Sequence, residues 1–258
     1  MSFIISTQAE LLKTKRTASF WLSIIAAAFI PTILIIALFT GDDASRAALT
    51  ADPWTKYFKI GWQVFCIFIV PIYIVLSSTL LTQIEFRNNT WKQVFASPQS
   101  LGNIFFSKFL AIHFMILFCF VLFNGFMILS AVGANLFNSS FTFLHHRIDW
   151  SRLLWLNFKV YISILGISAI QYWLSLRFKN FIAPMGIGLA LLIAGVVALV
   201  NQWAHVYKYP YSLSLLSYDY AQKSGRPFLE NHEWNSIGYF MVFILIGFLD
   251  MKMRKEKG

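Results

Sequence analysis

Charge is the scarcest thing in this sequence. Lys, Arg, Asp and Glu make up 12% of its 258 residues, against 58% hydrophobic. Soluble domains carry about a quarter charged residues, and a globule of this length with so few could not cover its own surface. That excludes an ordinary water-soluble fold and points to lipid as the second solvent. Cysteine is nearly missing too. Cys66 and Cys119 both lie inside apolar runs without metal-ligand spacing, so they read as small buried hydrophobes and offer no disulfide framework. The net charge of +10 forms no continuous stripe and comes with no RNA-binding signature, which argues against nucleic acid as a partner. Its short clusters beside apolar runs suit anionic lipid headgroups instead.

Catalytic signatures are absent as well. There is no Gly-x-Ser-x-Gly, no His-Glu-x-x-His and no phosphate-binding Gly-x-x-x-x-Gly-Lys-Ser/Thr, and no pair of carboxylates lies within an apolar run. The chain is therefore expected to be no enzyme, with no catalytic residue, metal or cofactor of its own. Polar residues inside the apolar runs are few: His113, Asn124, Lys159, Gln171 and Asp250. Buried ionisable residues are functional candidates by default, yet none of these has an evident partner in the sequence. Lys159 is expected to snorkel to the outer interface, and Asp250 lies among basic residues. His145, His146 and Asp149 cluster in a loop without a third ligand at useful spacing. An ion-coupled carrier would show charges at mid-membrane or paired broken helices. Neither is visible, so the energy for any transport is expected to come from elsewhere.

What is present is six long apolar stretches, each able to span about 30 Å of hydrocarbon as roughly 20 helical residues. They lie near Phe20–Phe39, Gly61–Gln83, Ile104–Val132, Leu153–Leu176, Phe181–Asn201 and Asn235–Met251. Runs such as Phe114-Met115-Ile116-Leu117-Phe118 are apolar all round, as in a lipid-bounded helix, and lack the alternation of membrane strands. The prediction is an all-α polytopic membrane protein of one domain, residues 1–258. Of the 21 Lys and Arg residues, an inside N-terminus places 12 on the cytoplasmic side and 8 outside, with Lys159 within a span. This favours both termini in the cytoplasm. Lys13-Thr14-Lys15-Arg16 precede a run too long for the core of a cleavable signal, so the first span is expected to stay.

Three segments between and around the spans stand out. Residues 1–18 can form an amphipathic interfacial helix, with Phe3, Ile4, Ile5, Leu11 and Leu12 broadly on one side. The outer segment, residues 202–234, holds Trp203, Tyr207, Tyr209, Tyr211, Tyr218, Tyr220, Phe228 and Trp234. That composition fits either an aromatic belt or a segment dipping into the membrane against protein. The loop at residues 84–103 has a polar turn at Asn88-Asn89-Thr90, a short amphipathic stretch and a Ser97-Pro98 break. Thr90 is placed to cap a short helix ending before Pro98, a suitable lever for passing force to membrane helices. In the fifth span, Gly186, Ala190, Ala194 and Ala198 recur every four residues, and Ser23 and Ala27 give a weaker version in the first. Such stripes let helices approach closely, within a subunit or between two. Pro31, Pro71 and Pro184 mark kinks or helix starts.

The Glu10…Lys13 prefix, the Glu85-x-x-x-x-Thr90…Ser97-Pro98…Lys108 loop, the six spans and the aromatic outer segment together resemble a known family. It is the type-2 membrane subunits of ATP-binding cassette exporters, especially the small permeases of bacitracin and lantibiotic self-protection systems. The resemblance covers most of the chain. It implies an N-terminal helix along the inner membrane surface, a loop contacting a separate nucleotide-binding ATPase subunit, and a second permease subunit, identical or related. In these terms Glu85, Asn88, Thr90, Trp91 and Pro98 form the ATPase-coupling region. Gly186, Ala190, Ala194, Ala198, Ser23 and Ala27 are candidates for the interface between permeases. The implied role is ATP-driven export of an amphipathic substrate across the cytoplasmic membrane. Two other classes remain open: a membrane enzyme acting on lipids or prenyl chains, which would use His113, Asn124 or Gln171, and a structural subunit that transports nothing.

Overall fold

The computed structural model describes residues 3–15, 17–40, 52–88, 90–96, 99–138, 141–221 and 227–255. Among them there is no strand. Ten helices follow one another: α1 Phe3–Thr14, α2 Ala18–Thr40, α3 Pro53–Arg87, α4 Trp91–Ala96, α5 Leu101–Phe137, α6 Trp150–Ser163, α7 Leu165–Arg177, α8 Ile182–Val200, α9 Leu213–Ala221 and α10 Asn231–Lys255. The helices α2, α3, α5, α8 and α10 are each long and apolar enough to cross a membrane, and α6 with α7, bent by 42° where they join, are so only when taken together. All six apolar stretches of the sequence thus appear as helices.

Local chemistry sets the helix ends. Asp52 caps α3, accepting from the Thr55 N–H at 3.3 Å, with Pro53 in the first turn. Ser100 caps α5 and Asp149 caps α6 in the same way, each satisfying an N–H that the first turn leaves free. Midway along α3, Phe65–Ile69 widen into a π turn, and the Val70 N–H reaches back to the Phe65 carbonyl. The next bond of that pattern would run from Pro71 to Cys66, but proline has no N–H. Ser214 Oγ donates to the Cys66 carbonyl instead, at 2.9 Å. A sequence-marked proline thereby creates the acceptor that anchors α9 against the middle of a span.

That bond settles where the outer segment lies. Tyr211, Leu213, Ser217 and Tyr218 are buried, and Tyr211 donates to Gln171 Oε1 at 3.3 Å while Tyr209 donates to the Leu191 carbonyl at 2.8 Å. Tyr209, Tyr211 and Ser214 thus tie this segment to α8, α7 and α3.

The core is aromatic. Trp62 packs edge-on against Phe65, Phe120 and Phe123, and Phe65 stacks on Phe123. Helix α2 lies along α5 and α3, α7 lies between α3 and α10, and α8 leans on α3. Small residues permit the last contact, though not those of the expected stripe. Gly188 faces inward, where a Cβ would sit 2.8 Å from Val75 Cγ1 and 2.6 Å from Gln171 Oε1. Gly186, Ala190 and Ala194 face outward, and Ala198 is half-buried. The expectation for the first span is corrected: Ser23 and Ala27 are fully buried among the chain's own helices, and Ser23 Oγ meets Tyr73 Oη at 2.8 Å. Neither has surface left for a second subunit.

Candidate coupling site

The loop between the second and third spans begins on a buried carboxylate. Glu85 lies in the last turn of α3, with its side chain 1% exposed, and accepts through Oε1 from Lys108 Nζ at 2.7 Å and from Lys13 Nζ at 3.1 Å. Lys108, in the second turn of α5, also reaches Glu10 Oε2 at 2.6 Å, and Lys13 reaches Glu10 Oε1 at 2.5 Å. Two carboxylates and two ammoniums thus close a neutral square joining α1, α3 and α5. Glu85 Oε2 is buried with no hydrogen-bond partner among the described residues.

Burial alone works to raise the Glu10 carboxyl, but the charges and hydrogen bonds of Lys108 and Lys13 override it and hold it below its ordinary value. Likewise burial works to lower the Lys13 ammonium, and Glu10 and Glu85 push it up instead. Both groups stay charged because each supplies what the other needs. Such a cluster is a poor source of net stability, since desolvation cancels most of the attraction, but removing one member is costly. It serves better as a rigid register between elements.

The remaining predicted coupling residues are distributed around the square. Asn88 ends α3 with its backbone N–H bonded to the Ile84 and Phe86 carbonyls. The Thr90 N–H donates to the Glu85 carbonyl at 3.0 Å, and the Thr90 carbonyl accepts from the Val94 N–H at 3.0 Å, opening the short helix α4. Trp91 stands against Phe86, ring centres 5.2 Å apart. Pro98 lies outside the described residues, as do Asn89 and Ser97. Helix α4 is therefore strung between Glu85 and Lys108 with little free chain on either side. Gln99 Oε1 accepts from Ser6 Oγ at 3.1 Å, which ties the end of the loop back to α1.

A second ionic group occupies the same end. Asp250 receives Arg177 at 2.8 Å and Arg254 at 2.6 Å, and Arg254 also donates to the Leu176 carbonyl. Asp250 lying among basic residues matches the sequence reading. Other polar residues contradict it. Lys159 does not snorkel: it is 2% exposed and paired with Glu233. His113 bonds Tyr161 and Ser168, Asn124 bonds Asn157, and Gln171 bonds Thr79 and the Pro184 carbonyl. Lacking water, each had to find a partner across a helix boundary, and single-helix spacing could not reveal it. The hint available was that both charges lie near the same end of their runs: Lys159 follows the start of the fourth, and Glu233 just precedes the last.

His145 and His146 are exposed, Asp149 is engaged as the cap of α6, and among the described residues no three metal-ligating side chains stand together. No curated protein and no solved structure matches the chain. Residues 6–195 match the family described as ABC-2 family transporter protein. The matched residues run from α1 into α8 and contain the whole four-residue square, and the chain belongs to this family as a multi-pass membrane subunit of an ATP-binding cassette transporter.

Proposed function

We propose that this chain forms half of the membrane pathway of an exporter that expels an amphipathic substrate such as a peptide antibiotic. A separate subunit hydrolyses ATP and seats against α4 on the cytoplasmic side. The observation that carries this is the square of Glu10, Lys13, Glu85 and Lys108 beside α4. Any displacement of α4 pulls on Glu85 through the Thr90 N–H and on Lys108 through the start of α5. Through Glu10 and Lys13 it then reaches α1. Buried ion pairs resist shear because a slipped pair strands a charge, so the square passes motion on without absorbing it. The basic residues gathered at this end fit a cytoplasmic placement.

The outward stripe of Gly186, Ala190 and Ala194 on α8 supports a second permease, identical or related, packed across that face. Export and peptide cargo rest on the resemblance to self-protection permeases.

The test uses the complex isolated from its native host in mild detergent and returned to nanodiscs. The chain should bring down a nucleotide-binding subunit. Charge reversal at Glu85 (Glu85→Lys) should lower substrate-stimulated ATP hydrolysis by about tenfold or more while the complex still assembles. Recovery of the chain with no nucleotide-binding partner, or unchanged stimulation in Glu85→Lys, refutes the coupling role.

A further inference from the structure

The fourth span is broken where its sequence shows no proline. Between α6 and α7, Ile164 leaves regular geometry at φ −93°, ψ −5°, and the two halves meet at 42°. The break frees backbone groups that lipid could not satisfy. Ser236 of α10 takes them: its Oγ donates to the Ile162 and Ser163 carbonyls, at 2.8 and 2.9 Å, and accepts from the Gly166 N–H at 3.0 Å. On the other side, His113 of α5 straddles the same break. Its Nδ1 bonds Tyr161 of α6 and its Nε2 bonds Ser168 of α7. Two side chains from neighbouring spans thus pin one point, each holding both halves.

One turn before Ser236, α10 presents Glu233. This carboxylate is fully buried and grips Lys159 of α6, accepts from Ser217 Oγ of α9 at 3.2 Å and from the Glu230 N–H at 2.8 Å. Lys159 donates also to the Phe228 carbonyl at 3.0 Å and lies over the Trp155 ring. Phe228 in turn packs on Trp155 and Phe158. Along its length α6 packs chiefly on α9, less on α10 and least on α7. The far half of the span and the outer segment therefore form one body, jointed at Ile164, fastened to α10 at a buried ion pair and hung on α3 by Ser214 and by Tyr218, whose Oη donates to the Lys59 carbonyl at 2.7 Å.

We propose that α6 and α9 form a hinged lid over the end of the bundle opposite the termini, with Ile164 as the hinge and Lys159–Glu233 as its latch. Closed, the pair is dry and fully bonded. Opening swings α6 and α9 away from α10 and lets water reach both charges, which repays the lost attraction by hydration. Ser236 and His113 keep the joint satisfied while its angle changes. Glu233 and the outer segment lie beyond the residues that carry the family match. The lid rests on contacts within the chain and can fail or stand whatever its ATPase partner.

Distances between spin labels in lipid nanodiscs test it. Leu154→Cys on α6 and Met253→Cys on α10 report the lid; Val121→Cys on α5 with Met253→Cys reports the rest of the bundle. All three positions are exposed, whereas Cys66 and Cys119 are fully buried. With the latch intact the lid pair should give one dominant distance. In Glu233→Gln, which leaves Lys159 buried without its carboxylate, a second distance should rise from about a tenth or less of molecules to about half, with the Val121 pair unchanged. The apolar double variant Lys159→Met/Glu233→Met, which gains no hydration on opening, should instead keep one distance. A single distance retained in Glu233→Gln, or a second distance in the double variant, overturns the latch. Equal broadening of both label pairs overturns the hinge.

Discussion

The two ends of the molecule solve the same electrostatic problem in different ways. At the end carrying the termini, four charges on α1, α3 and α5 share their bonds, and Lys13 remains 39% exposed. At the far end, two charges on α6 and α10 are sealed completely, with Ser217, the Phe228 carbonyl and the Glu230 N–H completing them. In a shared network each ion keeps a second partner, so no single bond can slip without straining the others. An isolated pair has only two arrangements, closed or hydrated. The first geometry suits transmission of a push and the second suits a latch.

Removing one cation should expose this contrast most strongly. Lys159→Met and Lys108→Met each leave a buried carboxylate short of a cation and should lower unfolding free energy by about 3–5 kcal/mol, read by thermal unfolding in nanodiscs. The apolar double Lys159→Met/Glu233→Met should return to near wild type. The double Lys108→Met/Glu85→Met should stay lower by about 1.5–3 kcal/mol, because Glu10 and Lys13 have each lost a partner. Equal recovery at the two ends would erase the distinction.

Acidity should separate them next. Glu10 is held below its ordinary value of 4.5, so its contribution is complete above that value and is lost as pH falls through the lowered one. Lys13 is held above 10.5, so its contribution is complete below that value and is lost as pH rises through the raised one. Hydrogen exchange in α1, corrected for intrinsic rate, should be slowest between those limits and quicken at both extremes. Early loosening of α1 near neutral pH would contradict the network.

The smallest effects come from glycine. A Cβ on Gly166 would meet Tyr239 Cβ at 3.0 Å and the Ser236 carbonyl at 3.1 Å, so Gly166→Ala should cost about 1–3 kcal/mol. Gly102, in the first turn of α5, has nothing within 4 Å. Gly102→Ala should be stabilising by about 0.4–1 kcal/mol. The pair of melting curves shows whether tight backbone approach is special to the hinge.

The spans were legible because lipid demands helices that are apolar all round, a pattern that needs no knowledge of neighbours. The square was half legible. Glu10, Lys13, Glu85 and Lys108 are visible as charges flanking apolar runs, but that they converge depends on α1 folding back beneath the α3–α5 hairpin. The break at Ile164 carried no proline signal and depends on Ser236, some 70 residues away in the chain. The inward face of α8 was not read at all, because Gly188 and Gly195 lie between the members of the more regular alanine series. Polar residues such as Lys159 and His113 were read one helix at a time, whereas their partners sit on others.

Helix α1 is built inside out. Ser6, Thr7 and Thr14 are buried and Glu10 nearly so, whereas Ile4 and Leu12 are 65% and 61% exposed. Such a helix has no reason to dock until Glu85 and Lys108 exist to receive it, and those residues leave the ribosome about 70 to 100 positions later. During synthesis it can only rest on the bilayer, apolar side down. Its docking thus depends on the register of the second and third spans: were they paired out of step, Glu85 and Lys108 would no longer meet, and Glu10 and Lys13 would have nothing to bury against.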